Sequence, residues 1–111
     1  MALAPVCVLA GGVTRTVTET VELGNGALVE VIGENAEIRV HGIATNTLEF
    51  TVTMNNAEFV DFYGRTLYGN PASHFVISAT TSEGGITTAN SLIEIGIPAG
   101  VALSIRTTNG P

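Results

Sequence analysis

Across residues 91–110 apolar and polar side chains alternate almost without a break, and this stretch limits the fold more than any other. Ile93, Ile95 and Ile97 alternate with Leu92, Glu94 and Gly96, and Val101, Leu103 and Ile105 alternate with Ala102, Ser104 and Arg106. Successive side chains of an extended chain leave opposite faces, so each run builds one β-branched or leucine face. Between the runs, Pro98 has no N–H for a ladder and Gly100 accepts left-handed torsions. Pro98-Ala99-Gly100 therefore predicts a three-residue reversal between two antiparallel strands. Thr107-Thr108-Asn109-Gly110 supplies turn chemistry after the second run. A β core follows from this stretch, and no chemistry does.

The same reading extends upstream. Val13, Val17, Val21 and Leu23 share a face with Arg15 and Glu19, while Thr14, Thr16, Thr18, Thr20 and Glu22 line the other. Gly24-Asn25-Gly26 predicts a tight reversal, and Gly33-Glu34-Asn35 a second turn. Residues 27–32 are apolar except for Glu30, as expected of a strand covered on both faces or lying on an interface. Ala36, Ile38 and Val40 are expected inward, with Glu37, Arg39 and His41 outward. In the next run Leu48, Phe50, Val52 and Met54 point in while Thr47, Glu49, Thr51 and Thr53 point out. Later, Phe75, Ile77 and Ala79 form a core face. No stretch holds a helical period over three turns. Regularly spaced strands with glycine and asparagine turns predict one all-β domain over residues 13–111. Its expected form is an antiparallel β-sandwich or roll of the jelly-roll kind, with a short β-solenoid as the alternative.

Charge narrows the function. Ten carboxylates face four arginines, no lysine is present, and the net charge is −6. So acidic a chain repels a phosphate backbone, which argues against nucleic acid as a partner. No apolar run approaches the roughly 18–20 residues that span a bilayer, so no membrane insertion is expected. The single Cys7 excludes an internal disulfide framework and a cysteine-cluster metal site.

The leading residues, MALAPVCVLA, are wholly apolar, yet they lack the basic start and cleavage signature of a signal peptide. A decapeptide of this kind wants a groove. It becomes either an edge strand of its own sheet or a strand donated to another copy, with Gly11-Gly12 as hinge and Leu3, Val6, Val8 and Leu9 as its contacts.

Residues 55–73 mix aromatic and polar groups most densely and predict a long crossing connection with one short strand or a single helical turn. Tyr63, Arg65 and Tyr68 are its candidate interface residues, since aromatic and arginine side chains are favoured at protein contacts. The same loop with His74 would serve a binding module for carbohydrate or a host surface. His41 and His74 occupy outward positions at strand ends and read as solvated groups. Metal-ligand spacing such as H-x-H or H-E-x-x-H is missing, so no metal and no cofactor is expected. No nucleophile motif occurs, and the glutamates alternate outward as solubility alone requires, so no catalytic residue is assigned. Thr14, Thr16, Thr18 and Thr20 form one row and Thr47, Thr51 and Thr53 part of another. Side by side, these rows would make a flat hydroxyl-and-methyl surface of the ice- or crystal-binding sort. Threonine is equally an ordinary exposed strand residue.

Three segments, GALVEVIGENAEIRVHG (26–42), LEFTVT (48–53) and LIEIGIPAGVALSIRTTNG (92–110), resemble the bacterial adhesin domains. That family comprises β-rich, β-helix-like cell-surface proteins with strand-turn-strand units and a closing I-P-x-G-V-x-L-x-I-x-T-x-N-G phrase. The resemblance implies a non-catalytic surface or scaffold role and carries over no catalytic residue. Together these features lead to an expectation of a structural protein that assembles with copies of itself into a filament, lattice or shell layer. It is expected outside the cell or on its surface, or alternatively on a virion. The alternative role is a monomeric surface-binding module.

Overall fold

The computed structural model describes residues 13–81 and 89–108, and its longest strand, β1 (Thr14–Glu34), organises the others. Six further strands follow. They are β2 (Ala36–Ile43), β3 (Thr47–Asn55), β4 (Val60–Tyr68), β5 (Ala72–Thr81), β6 (Asn90–Pro98) and β7 (Ala102–Thr108). A single 3-10 turn, Ala57–Phe59, precedes β4. All seven strands belong to one continuous mixed sheet of order β2-β6-β3-β1-β5-β4, with β7 also beside β1. The all-β sandwich or roll expected from the sequence is what forms.

The sheet folds on itself because β1 serves both layers. Residues 14–22 of β1 pair antiparallel with β3, while residues 28–34 lie between β5 and β7, parallel to both. Layer one is therefore β2-β6-β3-β1, and layer two is β7-β1-β5-β4. Gly24-Asn25-Gly26 does not reverse the chain as the sequence suggested. From Leu23 to Leu28 four residues of β1 intervene against one of β5, Ser73 between Ala72 and His74, and Gly26 adopts φ 69°. This bulge re-aims one strand from the first layer into the second. Asn35, at φ 54°, then turns the chain back into layer one, where β2 runs parallel to β6.

Pro98-Ala99-Gly100 also differs from expectation. Strands β6 and β7 do not pair: β6 sits between β2 and β3, and β7 joins β1 in the opposite layer. The motif is a crossing between layers, so the pairing is mixed, with three parallel and three antiparallel ladders. The expected crossing connection over residues 55–73 is in large part the nine-residue strand β4, antiparallel to β5.

Phe50 shows how the layers meet. It belongs to β3, yet its ring lies 5.9 Å from that of Phe75 on β5 and 6.5 Å from that of Phe62 on β4. Leu48, Val52, Met54, Ile93 and Ile95 fill layer one's inner face, and Val29, Val31, Ile77 and Ala79 fill that of layer two. All of these are buried, as the period-two pattern requires. Gly33 completes the fit, because a Cβ there would lie 2.9 Å from the Ala36 Cβ and 3.7 Å from Ile38. That contact seats β2 over the second part of β1.

Candidate functional site

Each layer, among the described residues, ends in an unpaired strand on both sides, and these edges are the first candidate site. Among the described residues, β2, β4 and β7 pair on one edge only, as do residues 14–22 of β1. Two backbone contacts sort them into two sides. The Asn35 N–H, just ahead of β2, donates to the carbonyl of Thr108 at the end of β7 (2.9 Å), so β2 and β7 share a side. The Ala57 N–H, just ahead of β4, donates to the carbonyl of Val13 (2.8 Å), so β4 and the start of β1 share the other.

Every large apolar or aromatic side chain exposed among the described residues lies at these edges. They are Val13 beside β1, Val40 on β2, Tyr63, Leu67 and Tyr68 on β4, and Ile105 on β7. Val40 and Ile105 are the informative pair. Val40 is paired with Ile95 and Ile105 with Val31, both fully buried, so both point into the gap between layers. Yet Val40 is 40% and Ile105 46% exposed. Read from sequence as ordinary core positions, they face the core at a side where no further strand among the described residues covers them.

The opposite side is built differently. Arg15 and Glu19 pair with Met54 and Phe50 and so also point between the layers, and both are exposed. Strand β4 carries a register shift between Thr66 and Tyr68. Inward charges and bulges are the devices that keep a sheet edge from pairing. The β2 and β7 ladders run without a shift, and their inward residues are Ala36, Ile38, Val40 and Gly42 on β2 and Leu103, Ile105 and Thr107 on β7, with no charge among them.

Of the residues singled out from sequence, Leu3, Val6, Val8 and Leu9 lie outside the described residues. Tyr63, Arg65 and Tyr68 sit on the edge strand β4 instead of a loop. The Arg65 guanidinium lies 5.5 Å from the Tyr63 ring centroid, and Tyr68, at 73% exposure, stands beyond the bulge. His74 is not the solvated group expected. It is half-buried on β5, with Nε2 2.7 Å from Glu30 Oε1, because the parallel ladder sets Leu28 opposite His74 and Glu30 diagonal to it. His41 is exposed as expected.

The threonine rows do lie side by side. Thr16 faces Thr53 and Thr18 faces Thr51, with Oγ1 atoms of the latter pair 3.2 Å apart. Glu49 opposite Thr20 interrupts the array, and one strand further Leu92 and Glu94 break it. At Gly96, where the outward row lacks a side chain, a shallow depression of about 300 Å³ opens among Thr18, Thr20, His41, Glu49 and Glu94. It offers hydroxyls, an imidazole and two carboxylates to a small polar group, and no exposed aromatic plane for a sugar. A smaller crevice of about 90 Å³, between the Gly24-Asn25-Gly26 corner and the Pro98-Ala99-Gly100 crossing, has room for a few waters. Among the described residues, no group of three or more His, Cys, Asp or Glu is arranged to hold a metal ion. Comparison with protein-family models, with curated proteins and with solved structures finds no match to this chain, so its function has to be read from these surfaces.

Proposed function

We propose that this is a non-catalytic structural protein that associates with copies of itself through its strand edges, as a building unit of a filament, lattice or surface layer. One observation carries the reading: the exposed apolar side chains are confined to the unpaired edges, two of them pointing into the gap between the layers. An open edge is a template for another strand, and an uncovered inward side chain gains from being covered. The adhesin-like sequence phrases agree with such a role at a cell surface, and a virion surface would place the same demands on the chain.

Static light scattering of the wild-type chain over rising concentration should give an average mass above that of one chain. Val40→Lys with Ile105→Lys should return it to single-chain mass while leaving the far-ultraviolet spectrum unchanged. A single-chain mass for the wild type at every concentration contradicts the proposal. A second reading, a monomeric surface-binding module for carbohydrate or a host surface, draws on the Tyr63–Arg65 stack and the exposed Tyr68.

A further inference from the structure

We propose that the β2/β7 side is a self-complementary interface, on which a second copy of this chain docks about a two-fold axis passing near Val40 and Ile105. This rests on the self-association reading above and adds which side is used, in what symmetry, and with which residues on the axis.

The choice of side follows from the contrast between the two. On the β1/β4 side, Arg15 and Glu19 point between the layers and β4 is bulged, so a strand laid there would bury charge against a bent edge. The β2/β7 side has straight ladders and an uncharged inward surface. Its outward charges nearly cancel. Glu37 and Arg39 form an ion pair at 2.8 Å on β2, and Arg106 is the one charged residue of β7. On a chain of net charge −6, this is a side where two copies meet with little mutual repulsion.

The symmetry follows from the edges. A two-fold axis perpendicular to the layers sets any edge strand antiparallel to its own copy, so β2 meets β2 and β7 meets β7 in one step. Both layers then continue across the junction, and unpaired N–H and C=O groups on both strands gain partners. A Cβ on Gly33 would lie nearest the Ala36 Cβ, at 2.9 Å, which puts Val31 near the level of Ile38, the inward residue next to Val40 on β2. Ile105 is the partner of Val31 in the β1/β7 ladder. Val40 and Ile105 thus stand on adjacent levels across the gap, one inward step apart. The axis brings them together with their two copies into one apolar cluster that closes the open side. The edges left at the two ends of the pair are the guarded ones.

A residue near a two-fold axis meets itself, and this gives the test. Val40→Cys, in a chain whose own Cys7 is replaced by serine, should form a covalent dimer under mild oxidation, since the two Cα atoms fall in the disulfide range of roughly 4.4–6.8 Å. Leu67→Cys in the same background should not. Deleting residues 1–10 should leave the Val40→Cys cross-link intact. If the wild type associates but Leu67→Cys cross-links in place of Val40→Cys, the chosen side is wrong. If neither cross-links while Val40→Lys still dissolves the assembly, the contact is head-to-tail and the two-fold is refuted. Loss of association on deleting residues 1–10 alone would mean that a donated segment fills the gap. A wild type that never associates overturns the self-association reading itself, whereas these other outcomes overturn only the interface.

Discussion

Replacing Phe50 with alanine should cost the fold about 3–5 kcal/mol, the upper range for a buried aromatic. The residue is almost wholly buried, and its ring is the central contact between the layers, touching Phe75 and Phe62. Gly64 makes the site still more exacting. A Cβ there would stand 3.1 Å from Phe50 Cζ and 3.4 Å from Phe75 Cζ, so the backbone of β4 has approached to fit those rings. Removing the ring leaves a void bounded by the two layers of the sheet, whose hydrogen bonds oppose collapse, which is why the larger end of the range is expected. Urea unfolding followed by circular dichroism measures it. A loss under about 1 kcal/mol would mean that the layers do not close over Phe50 as described.

Gly69→Ala should be the second most damaging single change, costing about 2–4 kcal/mol from strain and overlap together. Gly69 links β4 to β5 with φ 90°, a torsion that a residue with a Cβ adopts only under strain. Space is lacking as well. A Cβ would fall 2.5 Å from Ser73 Oγ, 2.8 Å from the Ser73 nitrogen and 2.9 Å from the Pro71 carbonyl oxygen. The serine hydroxyl can rotate away, but the two backbone atoms cannot without shifting the turn. Gly26 is the natural control. It also has positive φ (69°), but nothing lies within 4 Å of its Cβ position, so Gly26→Ala should cost only about 1–2 kcal/mol. Equal midpoints for the two variants would show that the crowding at Gly69 carries no weight.

Strand faces were legible from sequence because a period of two is a local property. Leu48, Phe50, Val52, Met54, Ile93 and Ile95 are buried where alternation put them. Strand partners were not legible. Gly24-Asn25-Gly26 and Pro98-Ala99-Gly100 mark bends correctly, but a bend does not say whether the next strand returns beside the last or lands in the facing layer. That outcome depends on distant ladders such as Glu30 beside both Val76 and Ser104. The sequence allowed only a short strand where the nine-residue β4 forms, for a related reason. Its inward row of Val60, Phe62, Gly64 and Thr66 loses its apolar character where Gly64 yields space to Phe50.

The candidate interface had no local signal at all. Val40 and Ile105 look identical to core residues in sequence, and only the strand order leaves them at an open side. The threonine rows were visible as rows, whereas the depression over Gly96 required the ladder that brings Glu49 and His41 to flank it.

Amide hydrogen exchange of the wild-type chain, measured while its concentration is raised, addresses the central claim most directly. Association through the open side predicts that amides of β2 and β7 become protected as concentration increases, with those around Val40 and Ile105 slowed most and the outward threonines of β1 unaffected. Exchange at β2 and β7 that stays fast and independent of concentration would contradict the account.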